Sequence, residues 1–375
     1  MVYRKKTTDE DIAKLHIKSL KTETLKKALE FINILTEWKS ADKLYSTYFE
    51  GTQKALNNTG NGRIYFDYRL EGTVTGRLSC GAYKASKEGK EYPLGLSFHT
   101  LPRDKEDGDS TSIRQICIVE DGYDFITGDF KAMELRVLAH IAKEKNMIKA
   151  FHSGEDLHKY TASLIYEKAI DKITKEERQI AKSISFLVVY GGGAWKLSKT
   201  ANISLAIAER TIAKFQEIYP GVFEWMDKIK DEIYSQHYTT SIFGRRRNLP
   251  DIISPVQKIQ DRCIRQGVNF VIQSSASDIV CYCVLDIAKE FKLRGMESSI
   301  IGTVHDSIEV RSPKSETEEA LQIMYHKMTS YPLLKHYGYF FSVPIEVELE
   351  VGRSFSGGNK VEFSKKGSIV NRSIL

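Results

Sequence analysis

The sequence predicts an α+β fold, and three observations carry that prediction. Strand-like stretches begin near residues 64, 123, 299 and 343, far apart in the chain. Long helical stretches separate them, without the one-to-one alternation of a βαβ repeat. At 375 residues, with 41% hydrophobic and 28% charged side chains, the chain can bury a substantial core in two or three lobes.

Taken in order, residues 9–38 carry Ile12, Leu15, Leu20, Leu25, Leu29, Ile32 and Leu35 among charges, the pattern of an amphipathic helix. Gly60-Asn61-Gly62 marks a turn before a short strand at Ile64-Tyr65-Phe66 and Tyr68. Residues 81–112, rich in Gly, Lys and Asp, read as a long surface loop, uncommon unless functional. Tyr123 to Gly128 reads as a strand ending at Asp129, followed by Leu135, Leu138, Ala139 and Ala142 at helical spacing. Residues 146–236 are largely helical, a hairpin follows around Phe243-Gly244, and another helix covers 257–291. Ser299 to Val310 reads as two short strands around His305-Asp306, and Val343 to Val351 as a last strand alternating apolar and acidic residues.

Composition excludes several classes. The longest apolar run is seven residues, Ile279 to Leu285, where a bilayer span needs roughly 20, so no membrane partner is expected. The N-terminal stretch has early positive charge but no apolar segment of the signal-peptide kind. Five scattered cysteines, none spaced as CxxC, fit a reducing interior: the cytoplasm, or the host cell's cytoplasm for a viral chain. The net charge of +6 permits a polyanionic partner without demanding one.

Asp129 ends a buried strand where a helix starts; such an Asp is most often an N-cap. Asp306 sits in an apolar hairpin, where it reads equally well as a turn residue. As a pair they say more. Hard divalent cations need carboxylate oxygens, and carboxylates on adjacent strand ends hold two ions in the geometry of in-line phosphoryl transfer. Arg178, Lys182, Phe186 and Tyr190 recur every four residues, one helical stripe of two cations and two aromatics. That stripe suits a nucleoside triphosphate, or a solvated helix end running into a buried one. Gly191-Gly192-Gly193 ends the helix or admits a base close to the backbone. Thr75-Gly76-Arg77 puts an Arg beside a turn, and Arg245-Arg246-Arg247 puts three on a hairpin, either for nucleic acid or for solubility. Arg262, Arg265, Asn269 and Gln273 form a polar helix stripe able to reach phosphates and base edges, or an exposed face.

In this order the motifs resemble the polymerase domain of family-A DNA polymerases, the bacterial DNA polymerase I family, over roughly residues 40–355. GDFKAMELRVLAHIA (128–142) resembles motif A, RQIAKSISFLVVYGG (178–192) motif B, and TVHDSIEV (303–310) motif C. TGRLS (75–79), DLHKYTA (156–162), YPGV (219–222), FGRRRNLPDI (243–252) and RQGVNFVIQSSASDI (265–279) resemble further blocks in order. The ordered set is highly specific.

The resemblance implies a right-hand polymerase fold with an antiparallel-sheet palm (63–145 and 286–375), helical fingers (146–285) and a short helical thumb remnant (1–62). It implies template-directed addition of deoxynucleotides to a primer 3′ end by a DNA-directed nucleotidyltransferase. By the same resemblance Asp129 and Asp306, with the Phe130 carbonyl, hold two Mg²⁺ ions, for which Mn²⁺ can substitute. Lys182 contacts the triphosphate and protonates pyrophosphate; Arg178 and His158 hold its outer phosphates; Phe186 and Tyr190 pack near the sugar and the nascent pair. Arg77, Arg245, Arg246, Arg265, Asn269, Gln273 and His305 fall on the primer–template side. Glu134 lies under the sugar and blocks a 2′-hydroxyl.

Two departures stand out. Ser307 replaces the Glu that usually follows the motif C Asp, which implies a tuned rate rather than lost activity. Leu96 to Pro102 departs from the family's usual block, so primer contacts do not transfer there. About 60 residues precede the palm, too few for an exonuclease or a full thumb. Either the polymerase is compact, or a separate exonuclease, thumb or processivity chain completes it. The rival readings are a single-subunit RNA polymerase of the phage type, which shares His-Asp-Ser, and a non-catalytic DNA-binding subunit. Glu134, Phe186 and TGRLS separate the first from the DNA enzymes. Retention of Asp129, Asp306, Arg178 and Lys182 together separates the second.

Overall fold

A computed structural model describes residues 22–87, 90–102, 113–364 and 366–371. The chain enters as α1 (Thr22–Lys43), passes through a π-helical stretch (Leu44–Phe49) and continues as α2 (Glu50–Thr59). The expected first helix is therefore present from residue 22; its portion before that lies outside the described residues. Gly60, at φ +63°, closes α2 at the predicted turn, a conformation that suits a residue without Cβ. Strands β1 (Phe66–Arg69) and β2 (Ser79–Ala82) follow, then β3 (Lys84–Lys87) and β4 (Lys90–Pro93).

The long loop expected over 81–112 is corrected in its first part. Ala85 pairs with Tyr92 and Lys87 with Lys90 in an antiparallel hairpin. Tyr83, just before it, and Tyr92, within it, are exposed, and among the described residues none of its side chains is buried to impose the apolar alternation that reveals a strand. Residues 103–112 of that loop lie outside the described residues.

After β5 (Tyr123–Phe130) come six helices: α3 (Met133–Ile141), α4 (Lys145–Ser153), α5 (Leu157–Tyr166), α6 (Lys175–Val189), α7 (Ala194–Ala201) and α8 (Leu205–Ile218). Helix α9 (Pro220–Gln236), the hairpin β6 (Tyr238–Thr240) and β7 (Arg246–Asn248), and α10 (Gln257–Leu293) follow. Then come β8 (Ser299–Val304), β9 (Ser307–Pro313), α11 (Thr317–Ser330), α12 (Pro332–His336), β10 (Val347–Gly352) and β11 (Asn359–Val361). The last strand starts at Val347 rather than Val343, and sequence reading passed over α11, α12 and β11.

Two compact units divide the chain: Met1–Asp67 with Gly81–Leu101, and Tyr68–Cys80 with Pro102–Leu375. In the first, the buried Tyr48 donates its hydroxyl to the Thr100 carbonyl at 2.5 Å, and Phe66 stacks on Phe98 at 4.5 Å. The second is built on an antiparallel five-stranded sheet in the order β11-β10-β5-β9-β8.

Strand side chains alternate between faces, and this sheet uses both. Ile126, Phe130, Ile308, Val310, Leu349 and Val351 point to one face, where they pack with Ile279, Val280, Cys283 and Ile287 of α10 and Met324 and Met328 of α11. The other face carries Thr127, Asp129, Ser307, Glu309, Glu348 and Glu350, in register across β9, β5 and β10. A second core joins the helices, with Leu135, Leu138, Phe151, Ile184, Leu187, Phe215 and Tyr219 at its centre. Among the described residues α10 alone is long and apolar enough to cross a bilayer, but 78% of its most apolar window is buried inside the protein.

Two constraints in this sheet make predictions. A Cβ on Gly128 would meet Leu349 Cδ2 at 2.9 Å, Met328 Sδ at 3.0 Å and Met324 Cε at 3.1 Å. Gly128→Val is therefore expected to lower stability by about 1–3 kcal/mol through overpacking, read by thermal unfolding. Glu309 is fully buried, and burial, with Asp129 nearby, pushes its carboxyl up to about 7 against the opposing hydroxyls of Ser307 and Thr127 and Arg114. The folded protein thus holds this proton where the unfolded chain, titrating near 4.3, has released it. Stability present below that pH is lost as pH rises through 7. Wild type should lose about 3 kcal/mol relative to Glu309→Gln between roughly pH 4 and 8. Parallel denaturant curves for the two proteins across that range would contradict this.

Candidate active site

The β5–β9 pairing brings Asp129 and Asp306 to one cavity. Asp129 lies opposite Ser307 on β9 and opposite Glu348 on β10. It is not an N-cap: the cap of α3 is Ala132, three residues on, with φ +50°. Asp306 does occupy a turn, between β8 and β9, next to the exposed His305 at φ +60°. That turn lays the Asp306 carbonyl 3.1 Å from the Phe130 N–H. In an antiparallel strand a residue's N–H and C=O share an edge, so the Phe130 carbonyl also lies on the Asp306 side.

The cavity has a volume of about 320 Å³ and is lined by Thr127, Asp129, Val304, Asp306, Ser307, Glu348, Glu350, Phe355 and Arg114. Arg114 is its cation, 4.6 Å from the Phe355 ring centroid. Burial and the neighbouring Glu348 raise the carboxyl of Glu350. Among the described residues no three His, Cys, Asp or Glu side chains form a ready metal cluster. The cavity wall carries four carboxylates, those of Asp129, Asp306, Glu348 and Glu350, an all-oxygen set that fits a hard cation such as Mg²⁺ and disfavours a soft one.

Helix α6 carries the cation–aromatic stripe. Its start is fixed by a capping box, in which the Thr174 hydroxyl accepts from the Glu177 N–H and the Glu177 carboxylate accepts from the Thr174 N–H. Arg178, one residue later, grips Asp156 with Nε at 3.0 Å and a terminal nitrogen at 2.7 Å. Asp156 also caps α5 through the N–H groups of His158 and Lys159. Burial would raise the Asp156 carboxyl, but Arg178 and those amides hold it below the usual range. Lys182 stands exposed one turn on. Phe186 and Tyr190 stack at 6.4 Å with 14° between ring planes, and the His158 ring lies 5.9 Å from Phe186. Burial drives the His158 imidazole down to about 4, so it is neutral at pH 7, and its buried Nδ1 has no hydrogen-bond partner among the described residues.

Tyr190 ties this helix to the sheet layer. Its hydroxyl donates to one Glu134 oxygen while Arg77 pairs with the other. Burial and Glu134 push the Tyr190 phenol up to about 12, so it stays a donor. Gln273, on α10, is buried and reaches the same phenol. Gly191, at φ +65°, ends α6 where a Cβ would strike the Arg265 side chain at 2.6 Å. The glycine run therefore serves as a helix stop.

The three hairpin arginines each have protein partners. Arg245 pairs with the buried Asp278 and donates to the Gly76 carbonyl at 2.6 Å. Arg246 sits 3.8 Å over the Tyr238 ring and bonds Asn248, and Arg247 donates to the Val74 carbonyl. Asn269 has a buried Oδ1 without a hydrogen-bond partner among the described residues. Asp156, Arg114, Glu309, Glu348 and Glu350 were not singled out from sequence. The signals for them were an Asp heading a helix that carries His158, and acidic residues alternating with apolar ones along β9 and β10.

Comparison with known proteins follows the same line. A family model described as DNA polymerase family A matches residues 2–357. DNA polymerase I of Treponema pallidum is 31% identical over 318 residues, 85% of this chain and 30% of that protein. The thermostable DNA polymerase I of Thermus aquaticus is 28% identical over 334 residues, 89% of this chain and 37% of that protein. The chain thus spans about a third of the length of these relatives. Among solved structures, the POL domain of Pol1 from M. smegmatis, in complex with DNA primer-template and dNTP, superposes with a TM-score of 0.75 at 26% identity, over 94% of this chain and 57% of that one. The α+β architecture read from the sequence is therefore that of a polymerase I polymerase domain, and with motif-bearing elements in the predicted order, the chain belongs to DNA polymerase family A.

Proposed function

We propose that this chain is a template-directed DNA polymerase that adds deoxynucleotides to a primer 3′ end, acting on primed DNA and deoxynucleoside triphosphates. The observation that carries the reading is the meeting of Asp129 and Asp306 at one cavity, with Glu134, five residues after Asp129, bonded to Tyr190 at the end of the cationic helix α6. In this reading residues 63–145 and 286–375 are the palm, 146–285 the fingers and 1–62 a thumb remnant.

Asp129, Asp306 and the Phe130 carbonyl would hold the Mg²⁺ pair that the family implies, which lowers the barrier by neutralising charge on the attacking and leaving oxygens. Arg178 keeps guanidinium donors beyond the two given to Asp156, so it can bind a terminal phosphate while Asp156 holds its plane fixed. Lys182, exposed on the same face, brings a second cation and a proton for departing pyrophosphate. His158, neutral, offers phosphate a hydrogen bond rather than a charge. Glu134 is braced from two sides by Arg77 and Tyr190, which suits a wall against a 2′-hydroxyl. Arg265, Asn269, Gln273 and His305 complete the primer–template side, with Arg245 and Arg246 buttressing the hairpin beside it.

Primer extension with Mg²⁺, offering dNTPs and NTPs separately, tests the reading. Extension with dNTPs alone supports it, extension with NTPs favours an RNA polymerase, and none with either favours a non-catalytic subunit. Asp129→Asn or Asp306→Asn should cut extension at least about 100-fold, because several kcal/mol of charge stabilisation is lost, while DNA binding by gel shift is retained. Glu134→Ala should raise ribonucleotide use on the order of 10- to 100-fold relative to deoxynucleotides. Unchanged sugar discrimination would remove Glu134 from that role.

A further inference from the structure

Glu309 is fully buried behind the cavity, and none of the roles above uses it. Both its oxygens are engaged: Ser307 Oγ donates to Oε1 at 2.5 Å, and Thr127 Oγ1 donates to Oε2 at 2.7 Å. Ser307 adjoins Asp306 in sequence and faces Asp129 across the ladder, while Thr127 lies two residues before Asp129 and pairs with Glu309 itself. Both hydroxyl residues line the cavity. The three side chains form a hydroxyl–carboxyl–hydroxyl bridge across β5 and β9, beside Asp129 on the same face of the sheet.

Sheet stability alone does not call for this bridge. Backbone rungs already set the register, and on the opposite face Ile308 and Val310 fill equivalent positions with apolar packing. A buried carboxyl is a costly substitute for such packing. Its neighbours of charge are Asp129 and Arg114, with Glu348 and Glu350 one strand further on, across β5. A polar network whose members are all satisfied is rigid, and here the rigidity falls on the strands that carry Asp129 and Asp306.

We infer that Glu309 is a positioning residue for divalent-cation binding: through Ser307 and Thr127 it fixes the separation of the Asp129 and Asp306 carboxylates. The inference rests on the polymerase reading, in which those carboxylates are the cation ligands. Supports one layer behind metal ligands are typically worth about 10- to 100-fold in metal affinity.

The test compares wild type, Glu309→Val, Glu309→Gln, Ser307→Ala and the Ser307→Ala/Glu309→Val double variant. Mn²⁺ binding is measured by electron paramagnetic resonance on the complex with dNTP and a dideoxy-terminated primer–template, where no turnover occurs. Extension is titrated with Mg²⁺ in parallel. Glu309→Val should weaken Mn²⁺ binding about tenfold and shift Mg²⁺ half-saturation equally, with the rate at saturating Mg²⁺ changed little. Glu309→Gln, whose amide can still bridge both hydroxyls, should restore binding, and the double variant should lose little beyond Glu309→Val. Wild-type Mn²⁺ affinity in Glu309→Val overturns the inference even if its melting temperature moves. If that variant does not fold, Ser307→Ala decides: undiminished Mn²⁺ affinity overturns the inference, and weakened affinity supports it. Wild type that binds Mn²⁺ but extends nothing counts against the polymerase reading alone; wild type that does neither removes both.

Discussion

The site depends on one piece of backbone registry, the antiparallel pairing of β5 with β9. Asp129 and Asp306 are 177 residues apart in sequence and become neighbours only because Asp129 lies opposite Ser307 and the Phe130 N–H bonds the Asp306 carbonyl. Side chains alternate along a strand, so this register also decides which face each one occupies. The apolar alternates anchor the sheet on α10 and α11, and the polar alternates become the cavity wall. Chemistry and core are thus two sides of the same ladder.

A second constraint couples the sheet to the helices. Glu134 lies in the first turn of α3, just after the strand bearing Asp129, and its carboxylate takes bonds from both Arg77 and Tyr190. Tyr190 in turn terminates the stripe that begins with Arg178. Helix α6 is therefore tied through Tyr190 and Glu134 to the segment that follows the Asp129-bearing strand. Helix α10 adds a stiffer link: Ile272 belongs to the helical core, while Ile279 to Phe291 belong to the sheet core.

Much of this was legible in the sequence because it depends on local chemistry. The four-residue spacing of Arg178, Lys182, Phe186 and Tyr190 fixes one helix face, and the resemblance around Asp129 and Asp306 supplied the pairing that spacing cannot. What stayed hidden was mostly non-local. The bond between Arg178 and Asp156 joins two helices, and Glu309 reads as an ordinary polar alternate until the sheet buries it. Asp129 looked like a helix cap because a cap and a strand-end carboxylate share the same sequence neighbourhood; only the position of Ala132 separates them. The β3–β4 hairpin escaped notice because its pairing is carried by backbone groups, which leave little trace in side-chain pattern.

The thioethers beneath Gly128 expose the site to a chemical hazard. Met324 and Met328 are fully buried and fill the space that a Cβ on Gly128 would need, one residue from Asp129. Soft, unbranched sulfur side chains conform closely to that flat spot. Conversion to the sulfoxide would add a polar oxygen where the glycine leaves no room, pressing on β5 from behind. Oxidative damage would then reach the carboxylates without touching them, through the side of the sheet that faces away from the cavity.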